Sequence, residues 1–315
     1  MITKSEINGV LNINKPAGMT SHDVVDVIRK VARMKRVGHT GTLDPMATGV
    51  LPICLGKATK IQQFLIAQDK EYLVDMRLGL ITDTQDITGT VVEEVPVPPL
   101  NAEIIEAAFQ RFRGEQMQMP PMVSAKHHKG QRLYELARRG VEVKRDPCKI
   151  HIHELVLEAV ELPVIRFRVT CGKGTYIRTL CHDLGIALGS GAAMSGLVRV
   201  RCGAFHIDQA VALDVLHSPD DVLPRIVSLN EALSSLPSVM VGSEGKASIH
   251  CGRFLSGGAI TRRNGDFYTG SMVRVTSRDG TLIGVGEALL NSDQMDELAG
   301  NLRVIKPIKV FHHGL

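Results

Sequence analysis

At 315 residues, with 44% hydrophobic and 22% charged side chains, the chain has an ordinary globular composition, long enough for one large domain and a smaller one. No stretch approaches the roughly 18 successive apolar residues of a membrane helix, and Met1 to Glu6 carries no apolar signal core, so the expected compartment is the cytoplasm. Net charge is only +4, and the six cysteines include no Cys-x-x-Cys pair, which argues against a disulfide framework and against a four-cysteine zinc site.

Val10 to Asn14 alternates as a strand, stopped by Lys15-Pro16-Ala17-Gly18. Thr20 or Ser21 caps a helix whose apolar face is Val24, Val25, Ile28, Val31 and Ala32. A basic cluster, Arg33 to Arg36, leads into the loop Gly38 to Gly49. Val50 to Leu55 reads as a buried strand, Ala58 to Ala67 as a helix, and Tyr72 to Leu78 as a strand with Tyr72, Val74, Met76 and Leu78 on one face. Ile81 to Gly89 is a polar loop carrying Asp83 and Asp86, followed by a short strand from Val91 to Val95. A helix bearing Ile104, Ile105, Ala108, Phe109 and Phe112 ends near Gly114. Met117 to Lys129 is irregular, and Gln131 to Arg139 reads as a helix closed by Gly140. His151 to Val160 and Val164 to Cys171 suggest an antiparallel pair. Gly172 to Thr175 then opens a helix through Leu188, Leu197 to Arg201 is strand-like, and helical segments fill Leu213 to Leu236. Beyond Pro237 come short β runs separated by glycines, the texture of a small β-rich barrel. Helices alternating with hairpin-linked strands make the larger part α+β.

The loop Gly38-His39-Thr40-Gly41-Thr42-Leu43-Asp44-Pro45-Met46-Ala47-Thr48-Gly49 supports no helical or strand period. Its glycines permit close backbone approach to a ligand, and Pro45 restricts the conformation of Asp44. It is either a functional loop displaying one acid or an ordinary Asp-Pro turn. A phosphate-binding loop fails, because six residues separate Gly49 from Gly56 and Lys57, and Ala58 stands where a hydroxyl is needed. Cys148, His151 and His153 lack a second cluster to complete a metal tetrahedron. Cys181, His182 and Asp183 are helix neighbours that do not face one another. Asp44 is therefore the best-displayed carboxylate. Gly172 to Arg178 delivers Tyr176 and Arg178 at a helix start, and an arginine beside a carboxylate keeps it ionised. Tyr72, Tyr176 and His39 are the available plates for stacking a base. From Lys126 to Lys149, eight Lys/Arg face three Asp/Glu, either a polyanion-binding surface or a solvated helix face.

Gly38 to Pro52, Leu11 to Ser21, Lys70-Glu71-Tyr72 and Gly172 to Arg178 together resemble the TruB family of tRNA pseudouridine synthases. That resemblance implies a pseudouridine synthase fold, a mixed and largely antiparallel sheet flanked by helices, over residues 1–236, with the basic segment 115–150 clamping RNA. It also implies a PUA-like RNA-binding β-barrel over 238–311. The implied reaction is isomerisation of uridine to pseudouridine at position 55 in the TΨC arm of tRNA, after the base is flipped out, with no cofactor or metal. Asp44 becomes the essential carboxylate, Arg178 its partner, and Tyr72 a stacking and proton-removing residue. His39, Tyr176, Leu197, Lys15 and Arg199 become substrate-site residues. Val198 stands where a second arginine often occurs in the family. The expected partner is tRNA, with no membrane and no obligate protein partner, and the chain acting as a monomer. The alternatives are an RNA-binding or tRNA-folding module with secondary activity, and a guide-RNA-dependent synthase subunit.

Overall fold

The computed structural model describes residues 7–122, 127–128, 131–132, 141, 143–298, 300 and 302–312. Its larger part is built on an 11-stranded mixed sheet. The strands that matter to the site are β1 (Gly9–Lys15), β2 (Val37–His39), β3 (Thr48–Leu55) and β4 (Lys70–Leu78). A separate hairpin joins β5 (Leu80–Thr82) and β6 (Val91–Glu94). Further strands are β7 (Gly114–Gln118), the short pair β8 (His127–His128) and β9 (Gln131–Arg132), and β10 (Cys148–Glu161), β11 (Val164–Cys171) and β12 (Ala192–Cys202), with the two-residue strands Phe205–His206, Val211–Ala212 and Ile226–Val227 completing the large sheet. The main path runs β1-β3-β12-β4-β11-β10-β7, so β3, β12 and β4 are central.

Three helices cover one face. Helix α1 (Ser21–Val31) starts in a capping box, Thr20 and Asp23 exchanging backbone-to-side-chain bonds of 2.8 and 3.1 Å. It buries Val24, Val25 and Ile28 and stops at Arg33, whose φ is +52°. The expected Ala58–Ala67 helix is instead a 3₁₀ turn, Gly56–Lys60, followed by α2 (Gln62–Ile66). Helix α3 (Ala102–Gln110) and α4 (Ile177–Ala187) bury Phe109 and Leu180 in the same core. Along β4, Tyr72, Val74, Met76 and Leu78 all face that core, the period-2 signature of a sheet with one packed side.

After Cys202 the chain makes short turns of helix, Pro219–Val222 and Leu229–Ala232, where longer helical segments were expected. Pro219 opens the first of these turns, and Pro224, which has no N–H to donate, keeps it from running on. A six-stranded sheet follows, running Leu255–Ser256, Arg303–Val310, Leu282–Ala288, Met272–Ser277, Ser238–Val241, Ile260–Asn264. It carries helices Ser243–His250 and Ser292–Leu298, which the β-rich reading missed. Its own core is Val239, Val273, Val275, Ile283 and Ile305. Leu282, Val285 and Phe311 belong instead to a cluster that also holds Val10, Val50 and Phe64, so one apolar cluster spans both parts. Arg274 adds a polar tether, donating to the carbonyls of Leu236 and Asn230 at 3.1 and 3.0 Å.

Two further expectations need correction. Gly114–Gln118 is a strand rather than partly irregular, held antiparallel to β10 from Cys148↔Gln118 to Ile152↔Gly114. Gln131 and Arg132 pair with His127 and His128, and the rest of the expected helix, 133–139, lies outside the described residues. Half of the basic segment Lys126–Lys149 lies outside them too. No helix among the described residues is long and apolar enough to cross a membrane.

Candidate active site

The loop between β2 and β3 has almost no regular structure, so its shape is imposed by groups from elsewhere. Ser21, at the start of α1, exchanges hydrogen bonds with Leu43: the Leu43 N–H donates at 2.8 Å and the Ser21 hydroxyl donates back to the Leu43 carbonyl at 3.1 Å. Lys15, at the end of β1, is wholly buried and spends its ammonium on the carbonyls of Pro16, Met19 and Pro45, at 2.9, 2.6 and 3.2 Å. Gly18 N–H also reaches the Pro45 carbonyl, at 2.8 Å. From β12, Arg199, equally buried, donates to Val50 O at 2.6 Å and to Gly41 O at 3.2 Å, bracing both ends of the loop. Gly49 must be glycine: its φ is +101°, and a Cβ there would lie 2.3 Å from the Arg199 carbonyl. Leu43 and Ala47 are buried as anchors, and between them the Asp44 side chain keeps 32% of its surface exposed.

Arg178, one residue into α4, meets that carboxylate. Its Nε lies 3.0 Å from Asp44 Oδ2, and Nη2 donates to Oδ1 at 3.3 Å, a two-point grip that fixes the plane of the acid. The same guanidinium donates through Nη1 to the Thr84 carbonyl at 3.2 Å and lies 3.5 Å from Asp86 Oδ2. Asp86 is itself buried. Its other oxygen accepts from the Thr84 hydroxyl at 2.9 Å, the Thr88 hydroxyl at 2.5 Å and the Thr88 N–H at 2.9 Å. Burial pushes the Asp44 carboxyl up, Arg178 pulls it back, and the Asp86 charge adds to the rise. Burial lowers Lys15 to about 8 although Asp44 opposes that shift.

The apolar side of the site comes from the central strands. Arg199 pairs with Tyr72 and Leu197 with Val74 across β12 and β4, so Tyr72 and Leu197 point to the same face as Arg199. Tyr72, Leu197, Leu43 and Ile177 belong to one apolar cluster. Burial pushes the Tyr72 hydroxyl up to about 12, with the Arg199 guanidinium pulling the other way. Tyr176 is half-buried just ahead of α4, its backbone clamped by Gln118: the Tyr176 N–H donates at 2.8 Å and the Gln118 amide donates back at 3.0 Å. His39 closes β2, its Nδ1 accepting from Gly41 N–H at 3.3 Å, and burial lowers its imidazole below the usual range.

Contacts therefore unite Asp44 directly with Arg178, and the loop with Lys15 and Arg199. Tyr72 and Leu197 join through the strand pairing, and Tyr176 and His39 flank the elements that carry Arg178 and the loop. The sequence reading named Ser21 only as a possible helix cap and Asp86 only as an acid of a polar loop, and did not name Gln118. For Asp86 the available signal was a carboxylate with a threonine two residues away on each side, in a segment otherwise read as polar loop. The competing sites look structural. Cys181 is wholly buried, and burial pushes its thiol up. His151 and His153 stack at 4.4 Å, and His153 lies 3.2 Å from Asp69. No group of three or more metal-ligating side chains occurs among the described residues.

Comparison with known proteins places this geometry. The TruB family pseudouridylate synthase N-terminal domain matches residues 29–177, the tRNA pseudouridylate synthase B C-terminal domain matches 178–227, and the PUA domain matches 243–311. The tRNA pseudouridine synthase B of Syntrophus aciditrophicus is 38% identical over 311 residues, covering 97% of this chain and 99% of its own. That of Clostridium tetani is 46% identical over 235 residues, 75% of this chain and 81% of its own. Among solved structures, a Cbf5-Nop10-Gar1 complex matches with a TM-score of 0.77 at 29% identity, over 96% of this chain and 85% of that one. An H/ACA RNP bound to a substrate RNA containing 2′-deoxyuridine matches with a TM-score of 0.73 at 27% identity, over 97% and 85%. The chain belongs to the TruB family of pseudouridylate synthases, and is by that membership an isomerase.

Proposed function

We propose that the chain converts uridine to pseudouridine at position 55 in the TΨC arm of tRNA, acting alone as a monomer, with Asp44 as the essential carboxylate. The observation that carries this reading is the two-point Asp44–Arg178 contact on a loop braced from both ends. The relatives at 38% and 46% identity, both named for tRNA, favour that substrate. The reaction breaks the N1–C1′ bond, turns the base and joins C5 to C1′. The C5 proton leaves and N1 gains one, so no electrons or phosphates are exchanged and no cofactor is called for. Attack of the carboxylate on the sugar, attack on the base, and abstraction of a sugar proton all need Asp44 ionised and correctly turned, which its grip by Arg178 serves.

The target base is stacked in the folded arm, and extruding it costs a few kcal/mol. Tyr72 and Tyr176 offer rings to the extruded uracil, Leu197 packs beside them, and His39 supports the displaced loop nucleotides. Tyr72 also stands as acceptor for the C5 proton in the closing step. Burial keeps the phenol protonated near neutral pH, so Tyr72 can take the C5 proton only after passing its own to N1 of the turned uracil, with Arg199 stabilising the phenolate in between. The basic segment 126–149 and the PUA domain supply phosphate contacts.

The test is to incubate purified chain with an unmodified tRNA transcript and with the isolated TΨC stem-loop, then map pseudouridine. Conversion at position 55 of both is expected, and none in the transcript overturns the reading. The likeness to Cbf5 favours a second reading, guide-dependent modification. Conversion only on adding a guide RNA and partner proteins would select it.

A further inference from the structure

Helix α4 brings Tyr176 and Arg178 to the site, yet its own sequence does not cap it. Tyr176 stands in the capping position, in extended backbone (φ −98°, ψ 109°), and its side chain makes no capping bond. The turn leading to it is Gly172-Lys173-Gly174-Thr175. Gly174 has φ +83°, with no neighbour near where a Cβ would lie, so the turn does not fix its own exit direction.

Two pins from other strands fix it instead. Gly172 N–H donates to His151 O of β10 at 2.8 Å. Gln118 of β7 grips Tyr176, accepting from its N–H at 2.8 Å and donating to its carbonyl at 3.0 Å. That carbonyl also accepts the first helical bond of α4, from Leu180 N–H at 3.1 Å. One planar amide thus holds the peptide groups on both sides of a single Cα, which sets the direction of the Tyr176 side chain. Arg178 is braced independently by Asp44, the Thr84 carbonyl and Asp86. Tyr176 is the group that depends on Gln118.

Gln118 is an odd residue for its place. β7 is the edge of the sheet, Glu115 and Met117 point to solvent, and Gln118 is buried. An inward position on a strand is ordinarily apolar, and burying a primary amide is costly unless its groups are bonded. Here the bonds go to one residue 58 positions away. An apolar side chain would serve the strand, whereas the amide serves Tyr176. Gln118 also ends β7 opposite Cys148, where β10 begins. Residues 119–147, with most of the basic segment, are therefore an insertion on this stem. Arg145 Nη1 ties it again, donating to Pro120 O at 3.0 Å. The strands that pin the turn are the two strands of the stem.

We infer that Gln118 is a positioning residue, whose amide aims the Tyr176 ring at the extruded uracil and joins that ring to the stem of the basic insertion. Within the reading above, on which this rests, Tyr176 offers its ring to the base and the basic segment grips phosphate. An RNA arm held by the insertion is then held in register with the ring that meets its base. Gln118 therefore acts on the chemical step, where misplacement by about 1 Å costs about 10²-fold, while the insertion's phosphate contacts set affinity.

The experiment follows single-turnover pseudouridine formation on a saturating tRNA transcript, beside tRNA affinity and Tm. The full-length parent is compared with Gln118→Met, Gln118→Glu, Tyr176→Leu and the Gln118→Met/Tyr176→Leu pair. Methionine fills the volume without either hydrogen bond. Gln118→Met is expected to bind tRNA as the parent does and to form product about 10- to 100-fold more slowly per folded molecule. In the Tyr176→Leu background the same change is expected to cost less than about threefold, because the ring it aims is gone. In Gln118→Glu a neutral carboxyl donates and accepts as the amide does, whereas a carboxylate only accepts and faces the Tyr176 carbonyl. Its rate, relative to the parent at the same pH, is expected to climb from about pH 8 to about pH 5.5. A folded Gln118→Met at the parental rate overturns the proposal, and so does an equal loss with and without the Tyr176 ring. Should Gln118→Met not fold, the Gln118→Glu ratio decides, and a ratio flat with pH overturns it. An inactive parent would fell the proposed function and this assignment together, whereas an active parent with either negative result fells the assignment alone.

Discussion

The Asp44 loop and the C-terminal sheet are ordered by different forces. In the sheet, alternating Val239, Val241, Val273 and Val275 bury themselves between paired strands, and the pattern and the fold are the same information. In the loop, hardly any side chain packs repetitively. Order comes from two buried cations and a serine that reach across from β1, β12 and α1 to backbone carbonyls and an N–H. An apolar scaffold tolerates small losses by repacking, whereas a few charge-assisted bonds to a loop fail one at a time. A site that must hold one carboxylate in one orientation benefits from the second kind of order.

The sharpest break in the comparison comes from Arg178→Met, which frees Asp44 and strands the buried Asp86 carboxylate. We expect turnover to fall about 10³-fold and stability by about 3–5 kcal/mol, read by single-turnover assays and urea unfolding. Phe311→Ala attacks the apolar seam instead. It should cost about 3–5 kcal/mol of stability while leaving the rate per folded molecule on an isolated stem-loop unchanged. Asp86→Asn keeps the shape but weakens the hold on Arg178, and turnover should drop by up to about 10² with little change in Tm. Because the Asp86 charge raises the Asp44 carboxyl, this variant should also move the acid limb of the rate profile to lower pH. Arg199→Lys cannot brace Gly41 and Val50 together, so it should cost about 1–3 kcal/mol, with faster amide exchange confined to the loop.

The smallest effect is a pH signature. Lys15 titrates near 8 when folded against an ordinary 10.5. Between those values the unfolded chain holds one more proton than the folded one, so stability rises with pH across the window. Chemical unfolding at pH 7.5 and pH 9.5 should detect that rise in the parent and its absence in Lys15→Met.

How much of this was readable beforehand depends on how far the information lies along the chain. The α1 cap, the β4 face and the Gly38–Gly49 loop are local, and a one-dimensional reading captures them. Asp86 is not local. Its meaning rests on Arg178, 92 residues away, and from sequence it was merely one acid in a polar loop. Strand β7 was partly missed because it is an edge strand, with Met117 exposed and only Gln118 buried, so its pattern mimics a loop. The 213–236 stretch has helical composition, but its prolines and serine caps divide it into single turns.

The central claim is that Asp44 reacts and that everything around it serves its placement. The most direct measurement is pseudouridine formed at position 55 of a tRNA transcript by Asp44→Asn, run beside its tRNA affinity and Tm. Asparagine keeps the shape, and removing a carboxyl whose burial opposes ionisation should not lower Tm. We predict parental tRNA binding, an intact fold and at least about a 10³-fold loss of product. Asp44→Asn forming product at the parental rate would contradict the account.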